Sequence, residues 1–288
     1  MDGRFGHTAP GYHEHRPPPA LARHVRCTWT SWIGTGSSAT GRRIVPDGCI
    51  DMVWRADAGL LVEGPATGPL LVDLAPSSLV VGVRFQPGMA PSLLGVAADA
   101  LRDRSVPLEE VWGAAGRELA ERGAEAPAAS MVAALERALL SRLDGAISPD
   151  TLVAAVVERL GHDPSVSVRD LGRDFGVSPR QLLRRFGNQI GYGPRTFARV
   201  ARFQRFLHGA ERVSGQTWSL AALAAEAGYA DQAHLSRDCR DLAGLPPVAL
   251  LASRRTRQPD VRFVQDGSSV ERDNPEEPAR NRSHRATS

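Results

Sequence analysis

Lysine is absent from this chain of 288 residues, so all 35 of its basic side chains are arginine. Cysteine is scarce: Cys27, Cys49 and Cys239 are too few and too scattered for a disulfide framework or a zinc-ligand spacing. Long apolar runs are missing as well. Nothing approaches the roughly 18–20 consecutive apolar residues of a membrane-crossing helix. The first twenty residues, MDGRFGHTAPGYHEHRPPPA, hold no apolar stretch of the secretory kind. These absences argue against a disulfide-stapled secreted domain and against a membrane partner, and a cytoplasmic location is the expectation. What is present, 42 % hydrophobic and 23 % charged residues, suits two ordinary domains, each with its own core.

The net charge of +3 is unevenly spread. Residues 1–150 carry 14 Arg against 17 Asp and Glu, and residues 258–288 carry 5 against 6. Residues 164–257 carry 15 Arg against 7 acidic residues, an excess of 8. One basic segment in an otherwise acidic chain is the footprint of a domain that meets phosphate. Guanidinium groups suit bidentate recognition of phosphate and of guanine. An arginine-favouring codon composition accounts for the missing lysine, but it leaves the segregation of charge unexplained.

Periodicity divides the chain. Residues 1–20 read as a flexible arm. From Leu21 to about Gln86 the pattern is strand-like: Leu79, Val81, Val83 and Phe85 alternate on one face, as do Ile50, Met52 and Trp54 after the Pro46-Asp47-Gly48 turn. Val25, Cys27 and Trp29 form a third candidate strand. Short strands punctuated by Gly and Pro predict a small β-sandwich or barrel. Helices are predicted near Pro91–Ala97, over Leu108–Ala124 and over Ala128–Leu143, with Pro127 separating the last two. Met131, Leu135 and Leu139 make a helical stripe whose partner is either this chain or a second copy. A further helix opens at Ile147-Ser-Pro-Asp150 and runs through Leu160, Gly161-His-Asp-Pro164 ends it, and residues 165–252 read as helical throughout. The tail from Arg257 has no apolar period and reads as disordered. The resulting class is α+β: an arm (1–20), a β-rich domain ending in helices (21–145), an all-α domain (146–256) and a tail (257–288).

The all-α region carries the functional signal. In the stretch from Ser167 to Phe186, Val168–Asp174 reads as a short helix with Leu171 inward. Gly176 allows the tight turn, Ser178 is a natural N-cap, and Pro179 suits a first helical turn. Leu182 and Phe186, four apart, fasten the second helix, leaving Arg180, Gln181, Arg184 and Arg185 outward. An apolar back with an Arg/Gln front fits the major groove, where Arg pairs with guanine and Gln with adenine. The arrangement recurs about fifty residues on. There Ser219 is the cap, Leu220 and Leu223 face inward, and Gly228 makes the turn. A second recognition helix from Asp231 to Arg240 buries Leu235 and Cys239. Between them, Pro194–His208 carries Phe197, Val200, Phe203 and Leu207 on one stripe, a rigid link able to set the two helices about 34 Å apart, in successive major grooves.

Residues from about 165 to 252 resemble the DNA-binding domain of the AraC/XylS family. The resemblance rests on Leu171, Gly176-Val-Ser178, Leu182, Arg185-Phe186, Gly191 with Pro194, Arg202 and Leu223-Ala224. It continues through Gly228-Tyr-Ala-Asp-Gln-Ala-His-Leu-Ser-Arg237 and Gly244-Leu-Pro-Pro247. It departs at Gly172, where alanine is usual and glycine costs about 1 kcal/mol of helix preference, and at Tyr229, Leu235 and Cys239, where phenylalanine is common. The resemblance implies a transcription regulator that binds double-stranded promoter DNA and contacts RNA polymerase. Its candidate DNA-facing residues are Arg180, Gln181, Arg184 and Arg185 in the first motif and Asp231, Gln232, His234 and Arg237 in the second. More weakly, Arg42–Trp54, Gly82–Gly88 and Arg102–Gly113 are similar to an N-terminal domain found on a subgroup of that family, which implies a cupin-like β-barrel followed by helices.

That domain is expected to sense a small molecule, to dimerise the chain, or both. Trp29, Trp54, Cys49 and Asp51 are the candidate ligand-binding residues, although Pro46-Asp-Gly is first a turn signal and a lone cysteine is more often a small buried apolar group. No metal, cofactor or catalytic residue is expected. The rival reading is a cupin-type enzyme fused to an autoregulatory DNA-binding domain. A metal-dependent cupin wants a His-x-His pair on strands, whereas His13-Glu-His15 falls in the predicted arm and only His24 lies in the strand region.

Overall fold

The computed structural model describes residues 11–34, 39–125, 130–213 and 219–256. Alternating apolar residues build strands β1 (Gly11–His15), β2 (Val25–Trp32), β3 (Ala39–Ile44), β4 (Asp51–Arg55), β5 (Gly59–Glu63), β6 (Leu70–Leu74), β7 (Leu79–Phe85) and β8 (Ser105–Pro107). Six of them pair in the order β1-β2-β7-β4-β5-β8, and β3 and β6 form a separate ribbon. Every pairing is antiparallel. One face of the large sheet, with Met52, Trp54, Val62, Val81, Val83 and Phe85, packs against helices. The other carries Cys27, Trp29, Val53 and Val80. The α+β class and the expected strands around Leu79–Phe85, Ile50–Trp54 and Val25–Trp29 are as anticipated.

The predicted arm needs correction. Residues 11–15 form β1 and pair with Thr28–Trp32, and Leu21 is fully buried at the end of a short 3-10 turn, Pro19–Leu21. Gly-Tyr-His-Glu-His has no apolar alternation to announce a strand. It is an edge strand, held mainly by backbone hydrogen bonds. The first ten residues, Pro127 and the tail from 257 lie outside the described residues.

Helices α1 (Ala90–Leu94), α2 (Ala98–Leu101), α3 (Leu108–Trp112), α4 (Ala114–Glu125) and α5 (Met131–Leu140) cover the large sheet. The single helix expected over Leu108–Ala124 is split at Gly113, whose φ of +61° lies in the region L side chains avoid. Met131, Leu135 and Leu139 are buried in the core of this same chain, which answers where that stripe packs.

The C-terminal helices are α6 (Thr151–His162), α7 (Val168–Asp174), α8 (Pro179–Ile190), α9 (Pro194–Arg212), α10 (Leu220–Ala227), α11 (Gln232–Ala243) and α12 (Pro247–Thr256). Phe186, Phe203, Phe206, Leu171, Leu182 and Leu235 are wholly inaccessible at its centre; each such side chain contributes about 1.5–3 kcal/mol by burial. Val45, from the N-terminal half, belongs to this same core. No helix among the described residues is long and apolar enough to cross a membrane.

Candidate nucleic-acid interface and ligand cavity

Local chemistry explains where each helix of the first motif starts and stops. Ser167 caps α7 by accepting from the Asp170 amide at 3.1 Å. Gly176 turns the chain with φ +65°, and the Val177 amide closes back on the Gly172 carbonyl at 2.9 Å. A Cβ on Gly172 would lie 2.8 Å from the Val177 oxygen. An alanine at this position would force the turn to shift, so glycine gives up helix preference for a tighter turn. Ser178 and Gln181 form a reciprocal capping box on α8, Gln181 Oε1 accepting from the Ser178 amide at 2.9 Å. Arg180 and Arg184 stand exposed on that helix. Arg185 is tied down: its Nε and Nη2 each donate to Asp150 at 2.6 Å. Asp150 also caps α6 through the Leu152 and Val153 amides, and these bonds hold its carboxyl below its ordinary value against the opposing pull of burial.

The second motif repeats the design with different caps. Ser219 accepts from the Ala222 amide at 3.0 Å, and Gly228, at φ +90°, ends α10. Asp231 caps α11 by accepting from the His234 amide at 2.6 Å. His234 is half-buried, edge-on to the Tyr229 ring at 5.0 Å. Gln232 and Arg237 are exposed, while Leu235 and Cys239 are fully buried. Between the motifs runs α9, 19 residues or about 28 Å long. Its Phe197, Val200, Phe203 and Leu207 are all buried, as the stripe predicted. Arg199 fastens α9 to α11, donating to the buried Asp238 at 2.6 Å and also pairing with Asp241.

Strand alternation sends a different set of residues into a cavity of about 120 Å³ between the large sheet and the β3-β6 ribbon. Trp29, Ile44, Val53, Val72 and Val80 supply apolar walls. At one end lies Arg84, only 4 % exposed. It makes a two-pronged contact with Asp51, 3.0 Å from Nε and 2.8 Å from Nη2. Asp47 sits 3.4 Å and Glu14 3.8 Å from the same guanidinium. Burial opposes the charge on Arg84, but Asp51 and Asp47 outweigh it and keep the group firmly protonated. Burial raises the Asp51 carboxyl, and Arg84 pulls it back. Burial likewise pushes the Cys27 thiol up to about 12 and the Cys49 thiol well above its ordinary value.

Two domain families match the chain. A helix-turn-helix domain family covers residues 171–253, the segment whose two capped helix pairs are described above. The C-terminal region thus carries a helix-turn-helix domain. Residues 13–107 match the family described as Domain of unknown function (DUF6597). Among solved structures, a probable AraC family transcriptional regulator from Rhodopseudomonas palustris CGA009 is 24 % identical over 36 % of this chain and 97 % of its own, with a TM-score of 0.33. The C-terminal domain of AraT, a response regulator from Geobacillus stearothermophilus, is 17 % identical over 43 % and 96 % (TM-score 0.32). ToxT from Vibrio cholerae O395 is 9 % identical over 78 % and 96 % (TM-score 0.42). No curated protein matches.

The structure sorts the expected DNA-facing residues into two groups. Arg180, Arg184, Gln232 and Arg237 are exposed on the recognition helices. Gln181, Arg185 and Asp231 spend their side chains on capping and ion-pairing, and His234 packs on Tyr229. Of the expected ligand-binding residues, Trp29, Cys49 and Asp51 line the cavity. Trp54 does not: it points into the helical core, beside the position a Gly123 side chain would take. Strand parity is the reason, since Asp51 and Trp54 are three apart and stand on opposite faces. Sequence reasoning missed Arg84, Tyr12 and Glu14, because the pattern leading to β1 is silent. His13 and His15, by the same alternation, stand on the face opposite Tyr12 and Glu14. Among the described residues no three His, Cys, Asp or Glu side chains converge as a metal-holding group.

Proposed function

We propose that this chain is a transcription regulator that reads specific promoter sequences through Arg180, Arg184, Gln232 and Arg237, and that its N-terminal cavity holds a small-molecule effector. The observation that carries the reading is a pair of capped helix-turn-helix units, joined by one buried helix, each presenting exposed arginine from its second helix. Gln181, Arg185 and Asp231 support those helices by fixing their starts and flanks; His234 lies beside the second. The cavity supports the effector reading by its make-up, apolar walls with one buried ionic end, which is the usual composition of a ligand site. Its volume suits a molecule of a few heavy atoms. The protein acts in the cytoplasm, and catalysis has no part in this reading.

Duplex binding measured against salt is the first test. Binding through several guanidinium–phosphate contacts gives a steep fall of log K with log salt. Arg184→Ala and Arg237→Ala should each cost about 1–3 kcal/mol on a selected site if they pair with a base. Equal weakening on random DNA assigns the arginine to the backbone instead. Absence of salt-sensitive duplex binding at low ionic strength would sink the assignment. Native mass spectrometry of the purified protein tests the effector: a small molecule bound to wild type and lost from a Val53→Trp variant, whose indole fills the cavity, supports it. Failure of every member of a broad metabolite set to bind would refute it.

A further inference from the structure

Both recognition helices end against the N-terminal domain, and both ends are met by arginine. Arg102 donates from Nη1 to the carbonyl of Gly191, the residue that terminates α8, at 3.2 Å. Arg43 donates from Nη1 to the carbonyl of Ala243, the last residue of α11, at 2.6 Å. A helix C-terminus carries unpaired carbonyls and a partial negative charge, so a guanidinium placed there satisfies both. The fit is close. A Cβ on Gly191 would stand 2.4 Å from the Pro65 ring and 3.0 Å from the Ala98 carbonyl. A Cβ on Gly244 would stand 3.0 Å from Arg43 Nη1. A third tie comes from α9, where Gln204, 2 % exposed, donates from its amide to the Pro46 carbonyl at 2.6 Å.

We propose that Arg43 and Arg102 are positioning residues for DNA recognition: by anchoring the ends of the two recognition helices to one N-terminal body, they fix the half-site spacing the protein accepts. The inference rests on the reading of α8 and α11 as the DNA-reading helices. The competing account gives the spacing to α9 alone and makes the two arginines ordinary packing. The accounts differ in what spacing-shifted DNA would show.

The experiment uses full-length protein and a duplex enriched by it from a random-sequence library. Variants of that duplex carry one to about five base pairs inserted between the two protected half-sites, five being close to half a helical turn. Dissociation constants at fixed salt give a discrimination ratio between native and shifted spacing. Arg43→Met and Arg102→Met keep the apolar stem and remove the guanidinium. Each should lower that ratio about threefold and the double variant about tenfold, as expected for two charge-assisted hydrogen bonds that are only part-buried. Affinity for an isolated half-site should be unchanged, which a general loss of folding would not allow. Arg43→Lys, which retains a cationic donor, should restore most of the ratio. A double variant with wild-type discrimination and wild-type single-site affinity overturns the inference alone. Wild type that binds no duplex overturns the functional reading and the inference with it. Should the double variant fail to fold, the two single methionine variants carry the same comparison, and wild-type discrimination in both overturns the inference.

Discussion

Replacing Arg84 with methionine should be among the most damaging single changes available in the N-terminal domain. The guanidinium it removes is 4 % exposed, with Asp51, Asp47 and Glu14 all within 3.8 Å. Methionine leaves three carboxylates around an apolar side chain. Breaking a buried pair by deleting one partner costs about 3–5 kcal/mol, against a total stability of about 5–15 kcal/mol for an ordinary protein. Asp51→Asn in the same background should recover about 1–3 kcal/mol, the non-additivity expected of contacting residues. The pH dependence gives a second handle. Without Arg84, the Asp51 carboxyl, already raised by burial, rises further. The folded state then holds a proton that the unfolded chain releases. The penalty is full above the folded pKa and shrinks as the pH falls through it toward the ordinary carboxylate value. Urea denaturation followed by tryptophan fluorescence at neutral and mildly acid pH measures both effects. A loss below about 1 kcal/mol, the value typical of exposed pairs, or a loss independent of pH, would refute the reasoning.

Three further outcomes are expected. Asp150→Ala removes the α6 cap and frees Arg185, costing about 1–2 kcal/mol by denaturation. Because the folded Asp150 pKa is depressed, its contribution is present above the ordinary carboxylate value, and the gap between wild type and variant should close as the pH falls through the folded pKa. Gly191→Ala combines a φ of +94° with a 2.4 Å approach to Pro65; a loss above about 1 kcal/mol is expected, and a neutral result in thermal melts contradicts the packing described. The three thiols are buried, and burial pushes Cys27 and Cys239 up to about 12. A disulfide reagent at neutral pH should react far more slowly with native protein than with protein in denaturant; rapid native labelling would contradict that burial.

Much of the fold was legible wherever one physical signal dominated. The α7 boundaries, Val168–Asp174, follow from a serine cap and a glycine turn, and β7 follows from four alternating apolar residues. Signals failed where local pattern and tertiary role diverge. β1 has a sequence suited to nothing in particular, and its strand state is imposed by its neighbour β2. The helix predicted through Gly113 has good periodicity on both sides, and only the positive φ of that glycine divides it. Asp51 and Trp54 were paired as ligand residues although strand parity already separates them. The exposed fronts of α8 and α11 were readable from spacing, but the diversion of Gln181 and Arg185 into capping and pairing depends on Asp150 and on helix geometry. Arg84 looked like one charge in an apolar strand; the carboxylates that explain it come from β1, β4 and the turn before β4.

The stretch from Arg42 to Cys49 serves two masters. Ile44, Val45, Pro46, Asp47 and Cys49 border the cavity, while Arg43, Val45 and the Pro46 carbonyl are also engaged by the helical domain. Cutting the chain before α6 to obtain the DNA-binding fragment therefore tears a seam. Such a fragment bares Phe197 and Tyr192, strands the Gln204 amide, and uncovers the α8 and α11 ends. Its solubility and any preference it shows among duplexes are properties of a wounded molecule, and they are no guide to those of the intact chain.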